Sequence, residues 1–158
     1  MKTASVQELK QELQASSQQR LLELCLRLAK FKKENKELLT YLLFEAQDEP
    51  GYIRSVKEEI DGLIAGINLS QLYFAKKSLR KIGRIITKFA RYSSEKATEV
   101  ELRIHFLNGI RGIGIPLKKN AVIHNLYLGQ YKKVQQLVDG LHEDLQYEYR
   151  REMENLDL

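Results

Sequence analysis

Between Asn68 and Ser94 the chain reads NLSQLYFAKKSLRKIGRIITKFARYSS, with seven Lys or Arg and no Asp or Glu. On a wheel of 3.6 residues per turn, Lys77, Lys81, Arg84, Lys88 and Arg91 share one stripe. Leu72, Ala75, Leu79, Ile82, Ile86 and Phe89 share the opposite one. A row of fixed cations on a helix face is the chemistry of polyanion contact, because each phosphate it neutralises releases condensed counterions. Tyr73, Phe74 and Tyr92, near the ends of the same segment, offer rings on which bases stack. The competing reading is an ordinary amphipathic helix whose cations are solvated or paired inside the molecule. Residues 45–61, with six acidic and two basic residues, and 139–158, with seven acidic and two basic, are the available counter-charges.

The other reactive side chains form weaker constellations. His142 follows Asp139 by three and adjoins Glu143, and His105 follows Glu101 by four, so each pair shares a helix face. A carboxylate-bridged dimetal centre takes two Glu-x-x-His pairs, and the chain contains none, so no metal and no cofactor is expected. There is no Gly-x-Ser-x-Gly. The single cysteine, Cys25, lies among Leu21, Leu24 and Leu28 and reads as a small buried hydrophobe rather than a nucleophile. The run GIRGIGIPLKKN has glycines followed by lysines, as phosphate cradles do, but lacks the Gly-Lys-Ser/Thr ending of a P-loop and has no strand before it. Gly109-Ile110-Arg111-Gly112 has the GXXG form of a KH loop without the strands of that module. Catalysis is therefore not expected.

The elements that carry these residues read as helices throughout. The 158 residues, with 43% hydrophobic and 30% charged side chains and two prolines, suit one helix-rich globular domain over 1–158. Val6, Leu9 and Leu13 predict a first helix capped by Ser5; Leu21 to Phe31 predict a second; Asn35 is a candidate cap for a third carrying LLTYLLF, apolar nearly all round and the best candidate for a central core element. The segment QDEPG marks a break, with helix restarting near Tyr52, and Asn68 and Ser70 offer caps for the basic helix. Ser93 and Ser94 end it, the next helix runs through Ile110, and NGIRGIGIP is a second break. From Tyr127 a stripe of Tyr131, Val134, Val138, Leu141, Leu145, Tyr149, Met153 and Leu156 predicts one long C-terminal helix, bent at Gly129 or Gly140. That face either packs back across the domain or pairs two copies into a homo-oligomer. No alternating strand pattern occurs, so the fold class is all-α: an irregular bundle or short solenoid of six or seven helices. No apolar run approaches membrane-spanning length and the start of the chain is polar, so a cytoplasmic protein with no membrane partner is expected.

The segments KKENKELLTYLLFEA, EPGYIRSVKEEID, YFAKKSLRKIGRIITKFARYS and LHEDLQYEYRREM resemble those of a family of short bacterial all-helical proteins without an assigned activity. The resemblance runs along nearly the full chain and implies a bacterial, cytosolic origin, but it transfers no functional residue. SVQELKQELQ is also similar to the first helix of SAP-type DNA-binding modules, but the short Gly-containing turn of that family does not follow. Two functional expectations result. The first is a non-enzymatic protein-interaction or adaptor role with a protein partner; the alternative is DNA or RNA binding through Lys77, Lys81, Arg84, Lys88 and Arg91.

Overall fold

A computed structural model describes residues 1–156, with Lys118 described in its backbone alone. The described residues form eight α-helices and no strand, one helix more than the upper expectation. The span read from sequence as one domain gathers into two compact units, Met1–Phe44 and Glu45–Leu158.

The first unit contains α1 (Val6–Ala15), α2 (Gln18–Phe31) and α3 (Lys33–Thr40), and runs into a π-helical turn, Tyr41–Glu45. Ser5 caps α1 in a reciprocal capping box with Glu8, and Ser17 caps α2. Lys32, in extended conformation, separates α2 from α3, which pack on each other. Asn35 is not the cap of α3: its side-chain amide donates to the Leu28 carbonyl at 2.8 Å and closes the end of α2. None of these three helices has a buried residue, because two packed helices and a third short one supply no further layer. Two expectations fail for that reason. Cys25 is exposed, and LLTYLLF is not the expected core element: Tyr41 is its one buried residue, at 6%, while Leu42, Leu43 and Phe44 are exposed.

The second unit holds the hydrophobic core. It comprises α4 (Glu49–Ala65), α5 (Leu72–Ser93), α6 (Lys96–Gly112), a 3-10 turn (Leu117–Lys119), α7 (Ala121–Val138) and α8 (Glu143–Glu154). Helix α4 begins inside QDEPG: Asp48 accepts from the Gly51 amide at 3.0 Å, and Pro50 sits in the first turn, where its missing N–H goes unneeded. The central helix is α6, with Val100, Leu102, Arg103, Ile104, Phe106, Leu107 and Ile110 buried around its circumference. Helices α4, α5 and α7 pack against it. Gly109 belongs to α6, and a Cβ there would lie 2.3 Å from the tip of the Ile64 side chain, which would have to turn aside to admit it. The expected long C-terminal helix is instead two, broken at Gly140 and restarted by His142, whose ring Nδ1 accepts from the Asp144 amide at 3.4 Å. Its stripe packs back as Tyr127, Val134, Val138, Tyr149, Met153 and Leu156, all buried.

Two polar knots tie the helices. Arg103, 1% exposed, donates to Glu99 at 2.7 Å, to Gln130 of α7 at 2.6 Å and to Thr87 of α5 at 2.8 Å. Its charge is met by Glu99, which Lys133 of α7 also approaches at 3.5 Å. At the other end, Glu49 accepts from the Ser93 and Thr98 hydroxyls at 2.5 Å each, pinning the α5–α6 junction to the start of α4. Tyr149 of α8 reaches Glu101 at 3.4 Å, and burial beside that carboxylate pushes its hydroxyl up to about 12. Removing one partner of a buried ion pair strands the other, so Arg103→Ala is expected to cost about 3–5 kcal/mol. Urea denaturation checks this, and Lys57→Ala, which breaks the part-exposed pair with Glu101 at 3.0 Å, is expected to cost under about 1 kcal/mol.

Candidate nucleic-acid interface

Helix α5 owes its length to the apolar stripe it buries: Ala75, Leu79, Ile82, Ile86 and Ala90 are at most 5% exposed. Its start is marked by Gln71 without a side-chain cap, because Asn68 spends its carbonyl on Ser70 in a local turn. Its end is Ser94 in the left-handed conformation, φ 62°. Leu72, placed on the buried stripe by its spacing, is half exposed, since the stripe overruns the core at this end.

The opposite face carries the cations. Lys77, Lys81, Arg84 and Arg91 are exposed, and Arg80 joins them. Lys88 differs: it is partly buried, with its ammonium 4.6 Å over the Phe89 ring. Tyr73, Lys76, Lys77, Arg80 and Arg84 line an open hollow of ≈ 570 Å³. Lys76 and Arg80 were missing from the sequence-derived set because that set followed one narrow stripe; a face drawn half a turn wide includes them. From Tyr73 to Arg84 the track rises about 16 Å, roughly five phosphate repeats of one duplex strand.

Three carboxylates of the acidic stretches are bonded elsewhere in the unit: Asp139 holds Arg150 at 2.9 Å, Asp61 holds His105 at 2.6 Å, and Glu49 serves one knot. Outside those stretches, Glu101 holds Lys57 and Glu99 serves the other knot. Among the described residues of this unit, no carboxylate forms an ion pair with Lys76, Lys77, Arg80, Lys81, Arg84 or Arg91. The face is therefore a self-repelling array: Lys76, Arg80 and Arg84 stand at successive i, i+4 positions, as do Lys77 and Lys81.

The remaining candidates do not assemble. Glu101 and His105 turn to different partners, and His142 serves as a helix cap. Among the described residues no group of three His, Cys, Asp or Glu is arranged to hold a metal ion. In GIRGIGIPLKKN, Gly109 and Gly112 lie within α6, leaving only Gly114, φ 81°, in the loop. The first amides of α7 beyond it, Val122 and Ile123, are satisfied by the Asn120 side chain, so they are not an open phosphate cradle. A second hollow, ≈ 620 Å³ between α7 and α8, mixes Lys132 and Arg150 with Asp139 and Glu154 and is neutralised from within. No described helix is long and apolar enough to cross a membrane. No protein-family model, curated protein or solved structure matches the chain.

Neutralising an unpaired cation removes repulsion, whereas neutralising a structural one removes a bond. Arg84→Gln and Arg80→Gln are accordingly expected to leave the melting temperature unchanged or raise it slightly, with a gain of a few tenths of a kcal/mol for each like-charge pair relieved. Thermal unfolding in low salt checks the sign.

Proposed function

We propose that this chain is a non-enzymatic nucleic-acid-binding protein that grips the phosphate backbone with the outer face of α5. The observation that carries this reading is the cationic track of Lys76, Lys77, Arg80, Lys81 and Arg84, with which no carboxylate among the described residues of its own unit forms an ion pair. A polyanion relieves the repulsion along the track and gains from counterion release. Because the inner face of the same helix is committed to the core, the track is held rigid and presents its charges without ordering a flexible segment. The bacterial cytoplasm expected from the resemblance is a compartment in which such a ligand is abundant.

A second reading, the protein-interaction or adaptor role, draws support from the first unit. There a hollow of ≈ 580 Å³ has a floor of Leu26, Leu39, Leu43 and Phe44 and a rim of Lys30, Lys32, Lys33 and Lys36. An apolar floor with a cationic rim suits an acidic amphipathic helix of a protein partner. Pairing of two copies through the C-terminal stripe has less support, since that stripe is buried in its own unit.

Titrating labelled oligonucleotides at increasing salt tests the first reading. With about four phosphates neutralised, log affinity is expected to fall against log salt with a slope of about −3 to −4. Lys77→Gln, Arg80→Gln, Arg84→Gln in one chain is expected to remove most of that slope while leaving the fold intact. Absence of binding at low salt, or an unchanged slope in the triple variant, refutes it.

A further inference from the structure

The α5 track is headed by an aromatic ring rather than another cation. Tyr73 lines the same hollow as Lys76, Lys77, Arg80 and Arg84, and stands three, four, seven and eleven residues before them, on one face. It is 70% exposed although its ring is large and apolar. Phe74, 44% exposed, meets it edge-on, with ring centroids 5.5 Å apart and planes at 74°. An edge-to-face neighbour restricts the ring without covering it. We infer that Tyr73 is a stacking platform for an unpaired base, so that the ligand of α5 is single-stranded nucleic acid. This rests on the backbone-gripping reading above and specifies its substrate class.

The physical reason is the availability of base faces. In a duplex each base is stacked on its neighbours and shows a protein only its edges, which a tyrosine ring cannot stack upon. In a single strand the faces are open, and a ring fixed beside a line of cations takes one base while the adjoining phosphates run along the track. The rest of the hollow is consistent with a sequence-tolerant grip. Its remaining lining is Lys and Arg, which bond phosphate oxygens, and it contains no Asn, Gln, Asp or Glu to pair with adenine or cytosine edges.

The test compares four probes of one length at a fixed salt concentration: oligo-dT, oligo-rU, a base-paired duplex, and an abasic deoxyribose-phosphate oligomer. The wild-type chain is expected to bind dT or rU more tightly than the duplex, and the abasic oligomer about 5- to 100-fold more weakly than dT. Tyr73→Ala is expected to lose the same factor on dT at an unchanged salt slope, and Tyr73→Phe to retain wild-type affinity. Salt-dependent binding in which Tyr73→Ala matches the wild type, or in which duplex is preferred, overturns the stacking inference and leaves the backbone grip standing. Failure to bind any oligonucleotide overturns both, as does retention only by phosphatidylserine-containing vesicles run as a fifth probe, which would assign the exposed ring to a lipid surface. The abasic comparison uses the unaltered chain, so the result does not depend on the variants folding.

Discussion

The second unit is organised around one buried charge. Arg103 lies at the centre of α6, the helix against which α4, α5 and α7 pack, and a guanidinium cannot be dehydrated there unless its donors are met. Glu99 one turn earlier supplies the counter-charge, and Thr87 and Gln130 supply the remaining acceptors from α5 and α7. These bonds have directions, unlike the surrounding Leu and Ile contacts, so they set how α5 is rotated about its own axis. Thr87 sits on the half-buried flank of α5, next to the buried stripe of Leu79, Ile82 and Ile86.

That rotation decides what the outer face becomes. Arg80 and Arg84 stand exposed beside the half-buried flank that holds Thr87, and Glu99 and Glu101 are already bonded to Arg103 and Lys57. The molecule thus divides its charges: those near the core are matched in pairs, and those on the outside of α5 repel one another. A protein selected for stability alone would intersperse acidic residues along that helix, as i, i+4 partners of the lysines and arginines. Their complete absence over 22 residues is a stability cost that the proposed contact with a polyanion would offset.

Much of this was legible in the sequence. The all-helical class, the amphipathic α5 and its end at Ser94 follow from spacing and composition. The two faces of α5 were drawn correctly in direction but too narrowly, so Lys76 and Arg80 were left out and Lys88 was included although it folds over Phe89. The identity of the central helix was not legible. LLTYLLF is the more apolar stretch, whereas α6 carries Arg103 and Thr98 among its apolar residues and looks like a surface helix; only their buried bonding partners, 16 to 49 residues distant, make those polar positions compatible with the core. Burial of Cys25 was misread for the complementary reason. Its leucine neighbours promise a core, but the unit that holds them has too few layers to build one.

The most direct test of the division of charge is lysine reactivity mapped by mass spectrometry, using an amine-acylating reagent with and without a single-stranded oligonucleotide. The account predicts that Lys76, Lys77 and Lys81 react readily alone and are protected several-fold by the oligonucleotide, while Lys57, paired with Glu101, and Lys30, Lys32, Lys33 and Lys36 of the first unit are little changed. Protection centred on the first unit's lysines, or none on α5 at a salt concentration where the oligonucleotide binds, would contradict it.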